Sequence, residues 1–411
     1  MKIFKVIAAS VFCIALAFGP AGCKGSGGSS SSSSNSTAGT APSPGSGFVV
    51  LPQDAQTDNG GNNQSILQSV QLFDANGTAL SVPTMSTVVY NGVGDIDGAA
   101  LMPDGTRGVF VDGGSNQMFF FTMQNGLAQQ TTGMAPMLID YKQYGGDEDS
   151  VALVNSGDEA IVSTDYSDWL LLISGINSKN PKPAQYITTN GYRDGIALSD
   201  DNKVMLARGQ TGLDVFAVNA ITPTPGAIAG SGMVSYTFNL VNTMAGLGET
   251  TTDEAGRDGM DFSHNDSSRA VVITNATGSN QSSITLLTGL PSAPIINGTP
   301  VPINDNVHCV AVSGDLAVVG TDNGLEMFSG VSAGPLSYVG SISSYNASNG
   351  SPVSIGMVTT VRITANGNYA IAGDFSNGKI LTIPISAAGF QSPVGILTGV
   401  RVPYSDEMMI H

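Results

Sequence analysis

Asp194-Gly195-Ile196-Ala197-Leu198-Ser199-Asp200-Asp201-Asn202 runs from an acidic residue through alternating small and apolar residues into a polar turn. Asp97-Gly98-Ala99-Ala100-Leu101 has the same order and also leads into a turn, Met102 to Gly105. So do Asp149-Ser150-Val151-Ala152-Leu153 and Asp258-Gly259-Met260-Asp261-Phe262. Looser copies are His308-Cys309-Val310-Ala311-Val312 and Thr359-Thr360-Val361-Arg362-Ile363, and Asp406-Glu407-Met408-Met409-Ile410 stands at the end of the chain. The anchoring residues Leu101, Leu153, Leu198, Phe262, Val312, Ile363 and Ile410 are 52, 45, 64, 50, 51 and 47 residues apart. A period near 50 marks a repeat architecture, which must be recognised before any domain is drawn.

Each full copy is followed by a second apolar run, such as Val109–Val111, Val204–Leu206 or Ala317–Val319. A third run follows a Gly/Asp/Asn/Ser turn, as in Met118–Phe121, Leu213–Val218 and Ile380–Ile385. A more polar fourth run precedes the next copy, for example Met233–Phe238, Leu336–Ile342 and Val394–Val400. Four short strands per unit predict blades of a β-propeller, all-β, with antiparallel four-stranded sheets. The 52 glycines fit, because tight turns need residues that tolerate positive φ. No stretch carries a capped 3.6-residue apolar period, so little helix is expected.

The last copy supplies a first strand with nothing after it. Phe48–Leu51, Ile66–Phe73 and Ala79–Val82 supply three further strands at the other end of the domain. The expected seventh blade therefore joins the C-terminal innermost strand to three N-terminal strands. Residues 47–411 form one propeller domain on this reading, and six blades with an N-terminal appendage is the alternative.

Residues 1–22 read as a signal peptide: Lys2 and Lys5 precede an apolar run, Val6 to Phe18, too short to span a bilayer. Ala21-Gly22-Cys23 resembles a bacterial lipobox, which implies lipidation of Cys23 and a membrane partner held through that anchor. Pro20 stands where that motif usually has Leu, so ordinary cleavage and a free secreted chain is the alternative. Lys24, not Asp, follows the Cys, which by the same resemblance implies the outer membrane. Residues 23–46 are Gly, Ser, Thr, Ala and Pro in the main, a flexible tether with no apolar face to bury. Cys13 leaves with the signal and Cys23 is the lipid site, so Cys309 has no disulfide partner in the propeller.

Lys+Arg 15 against Asp+Glu 32 gives a net charge of −17, which excludes a nucleic-acid partner that needs a basic footprint. There is one Trp in the chain and no Trp-Asp signature, so the repeats are not of the WD40 kind. The segment from Val310 to Phe328, Val-Ala-Val-Ser-Gly-Asp-Leu-Ala-Val-Val-Gly-Thr-Asp-Asn-Gly-Leu-Glu-Met-Phe, resembles the YVTN/LVIVD type of bacterial propeller and the lactonase-like seven-bladed group. That resemblance covers nearly all of residues 47–411 and implies a fold, since propellers of this group include enzymes, binding modules and proteins of no known activity.

The repeat's first position is the leading candidate for chemistry. Asp97, Asp149, Asp194, Asp258, His308 and Asp406 occupy it, with Thr359 in the remaining blade. In a propeller it lies where the inter-blade loop meets the innermost strand, on one rim of the channel. A ring of carboxylates and an imidazole invites a hard divalent cation, Ca2+ or Mg2+. The structural alternative places each Asp in an inter-blade seam, accepting N–H groups of the incoming loop. Arg193, Arg257, Glu249 and Glu148 approach the same rim and are candidate ligand contacts. The long interval before Phe262 carries extra chain in 221–232 and 242–257, and long loops on rigid scaffolds often bind. Gly330-Val331-Ser332-Ala333-Gly334 has nucleophile-elbow spacing but falls between strands. No catalytic set is convincing. The expectation is a cell-envelope-tethered propeller binding an envelope protein or glycan, with a cation-dependent lactonase-like hydrolase as the alternative.

Overall fold

The computed structural model of the protein describes residues 47–411 apart from 58–62, 75–76, 92–95, 103, 114, 125, 133–134, 140–147, 155–157, 165–166, 178, 222–235, 250–258, 265, 276–280, 404–407 and 411. The described strands form seven antiparallel blades of a β-propeller. The signal, Cys23 and the tether lie outside the described residues.

Blade 1 comprises Ile96–Leu101, Arg107–Asp112, Gln117–Gln124 and Leu127–Gln130, from the innermost strand outward. Blade 2 comprises Glu148–Val154, Glu159–Thr164, Trp169–Ser174 and Lys182–Thr188. Blade 3 follows with Gly195–Leu198, Val204–Gly209, Gly212–Ala220 and Tyr236–Met244. In blade 4, outside Met260–Ser263, Asp266–Thr274 and Ser282–Thr288, the outer position is shared by Ile295–Ile296 and Val301–Ile303. Blade 5 is Val307–Ser313, Leu316–Thr321, Gly324–Ser329 and Ser337–Ile342. Blade 6 is Val358–Ile363, Tyr369–Asp374 and Lys379–Ser386, with Gly395–Thr398 outermost beside a short extension at Gly389–Phe390.

Blade 7 closes the ring as its two ends predict. Met409–Ile410 pairs with Phe48–Thr57 in the register Val49 to Ile410 and Val50 to Met409. Asn63–Phe73 and Ala79–Asn91 complete it. The third N-terminal strand is thus longer than the expected Ala79–Val82, because residues 84–91 also pair with Asn63–Phe73. The hairpin Ser344–Asn346 with Pro352–Ser354 is an addition between blades 5 and 6 that the apolar pattern did not announce.

The core is divided among the seams. Each of seven apolar clusters draws chiefly on two adjacent blades: Ala100, Val109, Val111 and Phe120 of blade 1 meet Val151, Val162, Leu171 and Ile173 of blade 2. Blades 7 and 1 are joined by an aromatic knot in which Phe110 stacks on Phe119 at 4.8 Å and Tyr90 meets both edge-on. The Tyr90 hydroxyl donates to the Phe120 carbonyl, and burial pushes its pKa well up. Burial of apolar area at every seam supplies the main driving force, roughly 25 cal/mol per Å². Cys309, the free cysteine of the described residues, is fully buried at the seam of blades 5 and 6.

Candidate functional site

In four blades the repeat's first position falls at an irregularity of the ladder. Ile96 pairs with Asp112 and Gly98 with Val111, so Asp97 is the extra residue. His308 and Thr359 are the extra residues in blades 5 and 6 by the same count. In blade 2 the register shifts across the stretch that holds Asp149. A bulge bends the strand and re-aims the side chain, and bulges gather at rims. Strict alternation along the innermost strand therefore fails at its first residue.

These side chains reach protein partners. Asp97 Oδ2 accepts the Gly113 N–H at 3.0 Å, from the turn after the second strand of its own blade rather than from the incoming loop. His308 is 4% exposed, and its Nε2 lies 2.8 Å from Asp322 Oδ1 in the equivalent turn of blade 5. Thr359 Oγ1 donates to the Pro403 carbonyl at 2.6 Å. Asp194 Oδ1 accepts its neighbour's N–H, from Gly195, at 3.1 Å, while the Asp194 carbonyl accepts the Ser163 hydroxyl of blade 2. Asp258 and Asp406 lie outside the described residues, as do the side chains of Asp149 and Glu148 and all of Arg257.

No group of three or more His, Cys, Asp or Glu side chains able to hold a metal is found among the described residues. Asp97 and His308 each hydrogen-bond to the turn that follows the second strand of their own blade.

Arg193 is fully buried. Its Nη2 pairs with Asp214 Oδ1 at 2.9 Å and also donates to the Asn190 carbonyl at 2.8 Å. Nη1 donates to the Tyr192 carbonyl at 2.7 Å and to Thr211 Oγ1 at 2.6 Å. Asp214 further accepts the Asn190 N–H at 2.7 Å and the Thr243 hydroxyl at 2.6 Å. The pair clamps the loop 189–193 onto blade 3, and the clamp leaves Tyr192, 51% exposed, standing on a fixed backbone. Glu249 is buried, and its N–H donates to the Gly209 carbonyl. Arg208, also fully buried, donates from Nε to the Leu247 carbonyl at 3.0 Å.

The sequence pattern passed over Asp214, Asp322 and Asp374. One signal was available: the second apolar run of several blades ends in a polar residue, as in Asp112, Thr164, Arg208, Thr321 and Asp374. Asp374 is fully buried and accepts both the Gly356 N–H and the side-chain amide of Asn377. Ser332 is no nucleophile elbow. It lies in the turn after Gly324–Ser329, and its hydroxyl donates to Asp315 Oδ1 at 2.5 Å.

Neither a family profile nor a curated protein sequence matches the chain. Solved structures match its fold. A protein of Bacteroides fragilis provisionally assigned as a 6-phosphogluconolactonase superposes with a TM-score of 0.58 at 13% identity, over 89% of this chain and 98% of its own. One of Bacteroides uniformis with the same provisional assignment gives 0.58 at 13%, over 90% and 99%. A protein of Lactobacillus plantarum gives 0.59 at 12%, over 89% and 99%. At such identity the likeness is one of fold.

Proposed function

We propose that this chain is an exported, lipid-anchored propeller that binds a glycan or protein partner on the rim where Tyr192 stands, without catalysis. Tyr192 carries the reading: a large exposed aromatic side chain on a loop held rigid from beneath by the buried Arg193–Asp214 pair. A preorganised aromatic gives contact area at little cost in conformational entropy, and its ring suits sugar faces and peptide side chains alike. Asn190 hydrogen-bonds to both Thr211 and Thr243 around the same loop.

Glycan-array and crosslinking assays with the full-length chain test this directly. Binding should fall roughly tenfold or more in Tyr192→Ala, the loss usual for a central aromatic contact. Undiminished binding in that variant refutes the role of this rim. Anchoring has its own test: Cys23→Ser should move the chain from the membrane fraction to the soluble one.

The second reading, a lactonase-like hydrolase with Ca2+ or Mg2+ at the channel mouth, draws on the fold likeness to the two provisionally assigned 6-phosphogluconolactonases. It requires cation-dependent turnover of a lactone or ester that is lost in Asp194→Asn. Turnover unchanged by that substitution removes Asp194 from the chemistry.

A further inference from the structure

A pocket of about 310 Å³ opens between blades 1 and 2. It is lined by Met102, at the far end of the innermost strand, and by Arg107, at the start of the next. Asp97 lies near the start of that innermost strand, so the pocket opens on the opposite rim, about 16 Å away at the usual strand rise. Its volume sits near the low end of the roughly 300–1,000 Å³ usual for small-ligand sites.

The walls are apolar. Val109, Phe120, Leu153 and Ile176 line them, and the fully buried Phe121 also borders the pocket. Gly108 makes room for that ring: a β-carbon there would lie 2.5 Å from the Ala100 carbonyl and against the ring itself. Among the described residues, the charged groups lining the pocket are both cations, Arg107 and Lys179. Acids outnumber bases 32 to 15 in the whole chain, so two basic residues without a lining acid run against the composition.

The state of these two cations points to an anion. Arg107 Nε is closed off from solvent and has no hydrogen-bond acceptor among the described residues. A buried donor left without a partner is costly and calls for an explanation. Lys179 holds a positive φ of 56°, a conformation that Gly and Asn adopt more cheaply than Lys. Its ammonium donates to the Thr132 carbonyl at 3.1 Å, which stations it at the mouth. Thr122, Thr131 and Asn177 add hydroxyl and amide groups to the lining.

We infer that this pocket binds a small organic anion, with a carboxylate or phosphate head between Arg107 and Lys179 and a compact apolar body against Phe120, Leu153 and Ile176. The site stands independently of the rim at Tyr192.

The test titrates the full-length chain with 3-phenylpropionate, with phenyl phosphate and with neutral 3-phenylpropanol, read by calorimetry. At least one anion should bind saturably, and the stronger one identifies the head group. The alcohol should bind about tenfold more weakly or worse, as the loss of a charge-assisted contact implies. Arg107→Met and Lys179→Asn should each weaken the anion by a similar factor. Lys179→Asn should melt no lower than the parent, since Asn accepts the left-handed backbone, and so separates lost binding from lost fold. Equal affinity for the alcohol, undiminished affinity in both variants, or no saturable binding of either anion would each overturn the assignment.

Discussion

Arg193 Nη2 and Asp214 Oδ1 meet at 2.9 Å with neither side chain exposed to solvent. Water cannot replace either partner there, so each depends on the other and on the hydrogen bonds around it. Removing one leaves a buried, uncompensated charge. Asp214→Ala should destabilise the propeller by about 3–5 kcal/mol, measured by urea unfolding. The double variant Arg193→Met with Asp214→Leu should recover a good part of that loss. A double variant no more stable than Asp214→Ala would show that the surrounding hydrogen bonds, and not the charges, hold the loop.

Ring closure rests on a very short strand. Met408 is fully buried and Met409 is 5% exposed, so Met409→Ala should cost about 2–5 kcal/mol. Truncation before Met408 should cost more, because it also strips the innermost strand from Val49 and Val50. Thermal unfolding of both variants checks the order of effects. Equal melting of the truncated and parent chains would deny the closure.

Burial first, and the nearby Asp305 carboxylate second, raise the Glu326 pKa above its ordinary value. A raised carboxylate pKa makes ionisation unfavourable to folding. The cost is present at neutral pH and disappears as pH falls below the unfolded value. Glu326→Gln should therefore raise the melting temperature at pH 7, and the gap should close under acid conditions. A gap of the same size at both pH values would assign the effect to packing.

Asp315 behaves in the opposite sense. The Ser332 hydroxyl, aided by the backbone N–H groups of Ser332 and Gly330, outweighs partial burial and holds its pKa below the usual carboxylate range. Its contribution is complete above the unfolded pKa and is lost as pH falls through the lowered folded value. Asp315→Asn should lower the melting temperature modestly at neutral pH, with the difference vanishing in acid. A difference that persists in acid would show that the carboxylate's charge is not what matters.

The blades were legible because strand patterning is local. Val109–Val111 and Ala317–Val319 alternate or run apolar between turn residues, and that information sits within a few neighbours. The pairing of Met409–Ile410 with Phe48–Thr57 was legible too, since an unpartnered first strand and three surplus strands leave one closed arrangement. The candidate site was less so. Asp97, Asp194 and His308 stood out as a repeated position, yet the bulge at Asp97 and His308 breaks the regular alternation that would aim a strand side chain. The Arg107–Lys179 pocket had no sequence signal, because its two cations come from different blades, 72 residues apart.

The amino-acid order alone determined the repeat and pointed to seven blades closed by both ends of the domain, and the pairing of Met409–Ile410 with Phe48–Thr57 decided against six. The repeat follows from periodicities that the chain carries within itself. Tertiary structure decided which polar groups meet. Arg193 finds Asp214 across a loop and a strand, and Asp261 accepts the Val312 N–H from the next blade at 2.7 Å. Such contacts depend on bulges and on the facing of adjacent blades, which bring together side chains that have no fixed spacing in the chain. At the repeated ring position, Asp97 accepts the Gly113 N–H and His308 meets Asp322, contacts that the repeat alone does not announce.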